Sequence, residues 1–269
     1  MQIDPLDIFN FLTPKDRASV LRARDRPYGA GPRQRLDIYA PRHAGMETLP
    51  VVIFFYGGSW DSGSKRGYGF VGRALAALGY VVVVPDYRLL PEVEYPQFLQ
   101  DCVEAIGWVK GNIATHGGDA DRVALAGHSA GAYNAVMAAL DGSRGPSSGL
   151  RGVAGISGPY DFYPFDGPVS RRVFGQAEDA LATQPINHVQ ADAPPMFLAT
   201  GDQDRMVLPR NSDSLGRALA EAGVKTVVRH YPGVDHAGTL LALSVLLRFR
   251  APVLRDLAVF FKDVFADQA

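Results

Sequence analysis

A serine with a glycine two residues to either side, Gly127-His128-Ser129-Ala130-Gly131, stands between an apolar run and an alanine-rich stretch. The run Val123-Ala124-Leu125-Ala126 reads as a buried strand, and residues 130–140 read as a helix. A sharp turn from strand to helix strains the backbone of the serine. Its neighbours two away must lack a Cβ if strand and helix are to approach each other. In that context the Gly-x-Ser-x-Gly pattern lifts a hydroxyl above the edge of a covered sheet, and the helix behind it aims N–H groups at negative charge. A chain built around this turn needs a sheet wrapped by helices.

The rest of the sequence supplies one. Val51-Val52-Ile53-Phe54-Phe55 and residues 81–84 are continuous apolar runs, as expected of strands covered on both faces. Residues 35–39 alternate before Pro41 and predict a strand at a sheet edge, while 152–156, 195–200 and 225–231 predict further strands. Helical spacing runs through 69–79, 97–114, 210–222 and 252–265. Strands alternating with helices imply a mostly parallel sheet with helices on both faces. Residues 1–269 therefore read as one α/β domain. Residues 1–30 form an N-terminal extension of short helical pieces packing on the body. Proline-broken residues 158–193 form the one long irregular connection, suited to a small cap.

Composition narrows the function classes. A formal net charge of −1, with basic residues scattered, gives no reason to expect nucleic acid or an anionic membrane as partner. The single cysteine, Cys102, leaves no internal disulfide and no cysteine-rich metal site, and its amphipathic surroundings predict a buried, inert thiol. The first residues show neither a basic nor an apolar signal region, so the expectation is a cytoplasmic protein. Apolar positions across 239–249 have two fates open to them, the core or a homodimer face, and the core is favoured.

A serine hydroxyl needs a base, and the base needs an orienting acid. In open α/β sheets these gather past the carboxyl ends of strands. After the strand ending at Thr200, the loop Gly201-Asp202-Gln203-Asp204 offers two acids. Asp202 suits local turn hydrogen bonds, and Asp204, deeper in the loop, is favoured as the orienting acid. Of six histidines only His236 follows a strand end, in a flexible glycine-flanked loop, which gives the order Ser129, Asp204, His236. The loop Tyr56-Gly57-Gly58-Ser59-Trp60 follows another strand directly, and its two glycines let amides turn inward. With the amide of Ala130, it would hold a developing oxyanion.

With these residues assembled, the chain resembles serine esterases of the α/β-hydrolase superfamily. The similar branch contains bacterial carboxylesterases, hormone-sensitive-lipase-like esterases and kynurenine formamidase-like enzymes. The resemblance rests on residues 56–60, Pro85-Asp86-Tyr87-Arg88-Leu89, Gly118-Asp119, 127–131, Gly201 with Asp204, and Asp235-His236. It implies oxyanion donors at the amides of Gly58, Ser59 and Ala130, and roles for Asp86, Tyr87 and Arg88 in holding the oxyanion loop. It implies no cofactor and no metal. Where that family usually opens the loop with histidine, this chain has Tyr56. The expected activity is hydrolysis of small-molecule carboxylic esters with short acyl chains, with Trp60 and His128 as substrate contacts. Two alternatives stand beside it: an arylformamidase, suggested by Trp60 after Gly57-Gly58-Ser59, and an inactive binding protein on a hydrolase fold.

Overall fold

Eight strands form one sheet: β1 (Ser19–Pro27), β2 (Arg35–Pro41), β3 (Leu49–Phe55), β4 (Val81–Pro85), β5 (Gly118–His128), β6 (Leu150–Ile156), β7 (Met196–Gly201) and β8 (Thr226–Tyr231). Their spatial order is β1-β2-β4-β3-β5-β6-β7-β8 in the computed structural model, which describes residues 4–43, 45, 47–142 and 149–266. From β4 to β8 every pairing is parallel, and β1 and β2 are antiparallel to their neighbours. The chain winds outward from β3 to β4, crosses back over β3 to β5, and then winds the other way. Loops leaving β3 and β5 therefore part at their carboxyl ends and leave a crevice, the usual ligand position in such sheets.

The central strands are β-branched or aromatic throughout: Val51 to Phe55 and Val81 to Val84 are buried without exception. Helices cover both faces: α1 (Pro5–Leu12), α2 (Gly69–Ala76), α3 (Gln97–Asn112), α4 (Ala130–Leu140), α5 (Pro168–Phe174), α6 (Arg210–Glu221), α7 (His236–Leu241) and α8 (Val253–Phe265). Every residue of α4 is buried, which is why its sequence is small and apolar all round rather than amphipathic. Among the described residues no helix is long and apolar enough to cross a membrane.

The structure corrects three expectations. The first thirty residues are not all helical pieces: α1 is followed by strand β1, which caps the sheet, so β2 is an interior strand rather than an edge. Most of β1 is exposed, with Arg22, Arg24 and Arg26 along it, so burial imposed no apolar alternation for the sequence to show. His236 does not sit in a flexible loop. It opens α7, where the Asp235 side chain caps the helix by accepting from the Gly238 amide at 2.8 Å. Residues 158–193 carry α5 and two 3₁₀ turns, and Phe174 at the end of α5 is buried among Trp60, Tyr133 and Phe162, with ring centroids 5.0 to 5.3 Å away. One such buried aromatic contributes roughly 1.5–3 kcal/mol, enough to anchor an otherwise irregular segment.

Candidate active site

Ser129 follows β5 directly and adopts φ 56° and ψ −124°, outside the ordinary regions for a residue with a Cβ. Close backbone packing holds it there. A methyl on Gly127 would lie 2.2 Å from the Gly131 carbonyl oxygen, and one on Gly131 would lie 2.1 Å from that of Phe55. Strand, turn and helix thus close on each other with no room for a side chain. The carbonyl of Ser129 accepts from the amides of Ala132 and Tyr133 at 2.9 and 3.1 Å, so the strained residue starts the helix.

The acid and base loops meet the serine from β7 and β8. His236 Nε2 lies 2.9 Å from Ser129 Oγ, and its Nδ1 lies 2.7 Å from Asp204 Oδ2. The other carboxylate oxygen of Asp204 accepts from the amides of Met206 and Val207 at 3.0 and 2.8 Å. Burial works against the charge on Asp204, but the His236 hydrogen bond and charge and these two amides outweigh it, holding the carboxyl below its ordinary value. An ionised acid on Nδ1 leaves Nε2 bare toward the serine, the tautomer a general base needs. Asp202 is exposed and serves the turn, accepting from the Gly233 amide at 2.7 Å. It thereby ties the acid loop to the histidine loop, as does Gly201, where a methyl would meet the Val234 carbonyl oxygen at 2.0 Å.

His128 was expected to touch substrate, and the structure turns it elsewhere. It is buried, is absent from the cleft lining, and its Nε2 lies 3.0 Å from the carbonyl oxygen of His236. A carbonyl only accepts, so Nε2 carries the proton, while Nδ1 has no partner among the described residues. Burial first, and then the neighbouring His236, hold this imidazole down at about 3, so it stays neutral. Thr239 Oγ1 donates to the same carbonyl at 2.9 Å. The base is thus oriented through its backbone as well as through its ring.

On the other side of the serine the loop after β3 curls back. Gly58, Ser59 and Trp60 have φ of 134°, 53° and 58°, a run of left-handed residues, and the Gly58 carbonyl accepts from the amides of Asp61 and Ser62 at 3.1 and 3.0 Å. A methyl on Gly57 would lie 3.0 Å from Ser129 Cβ, so this loop packs on the turn that carries the serine. The amides of Gly58, Ser59 and Ala130 donate to no acceptor among the described residues. Ser59 and Ala130 line the cleft with Ser129, and Gly58 precedes Ser59 in the same turn.

A cleft of about 420 Å³ opens over Ser129, floored by Ser59, Trp60 and Ala130 and walled by Phe162, Val169 and Met206. Trp60, predicted as a substrate contact, lines it and is pinned from behind, with its indole N–H donating to Asn134 Oδ1 at 2.9 Å. Sequence reasoning did not single out Phe162 or Met206. Both lie in loops whose direction only the folded chain fixes. Among the described residues no cluster of metal-ligating side chains is present.

Comparison with known proteins places the chain in a family. The family model described as BD-FAE matches residues 36–219, from β2 to the second half of α6. This chain belongs to that family. Among curated relatives, esterase LipQ of Mycobacterium tuberculosis is 33% identical over 265 residues, covering 89% of this chain and 62% of that protein. A probable isoprenylcysteine alpha-carbonyl methylesterase of Arabidopsis thaliana is 29% identical over 261 residues, covering 87% and 53%. This chain thus spans less than two thirds of the length of these relatives. Of solved structures, esterase B from Lactobacillus rhamnosis superposes with a TM-score of 0.84 at 21% identity, over 96% of this chain and 90% of that one. A truncated carbohydrate esterase from gut microbiota superposes with 0.79 at 20%, over 95% and 100%. At such identities the likeness establishes the fold, which is that of the α/β-hydrolases.

Proposed function

We propose that this chain hydrolyses small carboxylic esters with short acyl chains through an acyl-enzyme. The observation that carries the reading is the unbroken hydrogen-bonded line Ser129 Oγ, His236, Asp204, at 2.9 and 2.7 Å, ending in the cleft. Ser129 Oγ attacks the ester carbonyl while His236 Nε2 takes its proton, and Asp204 stabilises the imidazolium. The tetrahedral oxyanion is held by the amides of Gly58, Ser59 and Ala130. Collapse breaks the bond to the alkoxy group, which leaves with the proton from His236, and water then releases the acid by the same steps in reverse. The modest cleft, backed by Trp60 and walled by Phe162, supports the short-chain preference.

Rates on p-nitrophenyl acetate, butyrate and decanoate, with N-formylkynurenine alongside, test the proposal. Acetate and butyrate should exceed decanoate and the formamide, and Ser129→Ala should lose at least about 10⁴-fold in kcat while keeping its fold. Undiminished hydrolysis by the variant would remove the serine from the reaction. A preference for decanoate would remove the short-chain reading, and faster turnover of N-formylkynurenine would replace the ester reading with amide hydrolysis.

A further inference from the structure

We propose that Arg33 is the positioning residue of the oxyanion loop, with Tyr56 as its counterpart. The inference rests on the ester-hydrolase reading and assigns this residue a part in that reaction.

Arg33 lies in the turn between β1 and β2, outside the cleft lining. Its Nη2 donates to the Tyr56 hydroxyl at 2.7 Å and to the Gly63 carbonyl at 2.8 Å, and its Nε donates to the Tyr87 carbonyl at 2.9 Å. Tyr56 opens the loop that carries Gly58 and Ser59, and Gly63 closes it. One nitrogen of one guanidinium therefore joins the two ends. The remaining contacts reinforce the same place: Tyr87 stacks on Tyr56 with centroids 4.6 Å apart and donates its hydroxyl to the Tyr56 carbonyl at 2.7 Å. Asp86 lies 3.9 Å from the guanidinium and accepts from the Lys65 amide at 2.7 Å.

The loop needs such a brace because no strand ladder runs through it. Between its ends the backbone carries three left-handed residues in succession; besides short-range bonds to Gly58 it is held at single points, at Gly57 by the Tyr68 hydroxyl and at Trp60, whose carbonyl accepts from the Leu90 amide at 2.8 Å. None of these single bonds sets both ends of the loop, so the positions of the Gly58 and Ser59 amides still depend on where residues 56 and 63 are fixed. A guanidinium offers several donors in a rigid planar fork, which sets distance and angle together, whereas an ammonium is a point charge on a flexible stem. A buried tyrosine at the loop's first position presents its hydroxyl where that fork can reach it. Because Arg33 touches no cleft surface, its loss should leave ground-state binding alone and weaken only the grip on the oxyanion.

The test uses the full chain with p-nitrophenyl butyrate, together with a trifluoromethyl ketone that adds to the serine and forms an oxyanion. Arg33→Ala should lower kcat about 10- to 100-fold, as expected for donors displaced by about 1 Å, with KM within about threefold of wild type. Affinity for the ketone should fall by the same factor as kcat/KM. Arg33→Lys should recover part of the loss. Tyr56→Phe should cost several-fold in wild type and less in the Arg33→Ala background, because the two act as one unit. Arg73→Ala is the control. That arginine donates to Ser19 Oγ and the Asp16 carbonyl, away from the loop, so it should lower the melting temperature and leave kcat unchanged. An Arg33→Ala protein with wild-type kcat, or one whose loss only follows its unfolded fraction as in the control, overturns the inference. Should Arg33→Ala fail to fold, Arg33→Lys and Tyr56→Phe decide it in the same way. A wild-type chain that neither hydrolyses the ester nor binds the ketone overturns the esterase reading itself, and this inference with it.

Discussion

The turn that carries Ser129 and the loop from Tyr56 to Gly63 touch each other, yet different forces hold them. The first is set by backbone exclusion. Gly127 and Gly131 admit no Cβ because carbonyl oxygens of the same turn and of Phe55 occupy the space, and the adjoining halves of β3 and β5 and all of α4 are buried. The second is set by polar side chains that arrive from elsewhere in the chain: Arg33 grips the Tyr56 hydroxyl and the Gly63 carbonyl, Tyr68 the Gly57 amide and Tyr87 the Tyr56 carbonyl, while Asp86 holds the Lys65 amide just beyond the loop. Exclusion is local and tolerates no substitution. A polar brace is long-range and can be loosened by degrees. The nucleophile should accordingly behave as part of the core, and the oxyanion loop as an adjustable part laid against it.

The largest effect expected from this contrast is at Gly131. A methyl there would lie 2.1 and 2.4 Å from the carbonyl oxygens of Phe55 and Tyr56, both main chain, so nothing nearby can swing aside. Gly131→Ala should cost more than about 3 kcal/mol, read as a collapse of the urea midpoint or as loss of soluble protein. A variant with near wild-type stability would show that the turn can relax, and would erase the distinction between the two regions.

An intermediate effect is expected at His128, which joins the turn to α7. Its imidazole is held down at about 3 in the fold against an ordinary value of 6.5, so between those limits the unfolded chain binds a proton that the native chain does not. Stability attributable to this residue is therefore intact above about pH 6.5 and is lost progressively as pH falls toward 3, at about 1.4 kcal/mol per pH unit. His128→Gln should flatten the acid limb of stability by about one proton, measured by urea unfolding at several pH values from 4 to 7.5. It can still donate an N–H to the His236 carbonyl, so activity at neutral pH should fall only several-fold. An unchanged acid slope would mean that the ring is not held neutral.

The smallest effect is expected where the oxyanion loop meets α5, through the ion pair of Asp61 with Arg172. Both side chains are substantially exposed, and such pairs contribute about 0–1 kcal/mol. Arg172→Ala should change kcat/KM less than about threefold, and the difference should shrink in high salt. A larger effect that persists in salt would promote α5 from a wall of the cleft to a second brace on the loop.

The same contrast explains what the sequence could reveal. Strands β3 to β7 were legible because burial on both faces leaves only apolar choices, and Ser129, Asp204 and His236 because each follows a strand end in the order this fold uses. Local chemistry also placed the Gly57-Gly58 turn. Strand β1 was missed because its exposed faces left no alternation. The direction of His128 was missed because it is set by a carbonyl 108 residues further along. Arg33 gave no signal at all: in sequence it is one arginine among many in a Gly/Pro turn, and only the folded chain brings it to both ends of the loop.

The most direct test is to treat the protein with a fluorophosphonate, whose phosphorus is attacked as an ester carbonyl would be, and to map the adduct by peptide mass spectrometry. The account predicts one phosphonyl group per chain, on Ser129, absent from Ser129→Ala and formed far more slowly by His236→Ala. Ester hydrolysis that continues with Ser129 unmodified, or an adduct on another residue, would contradict it.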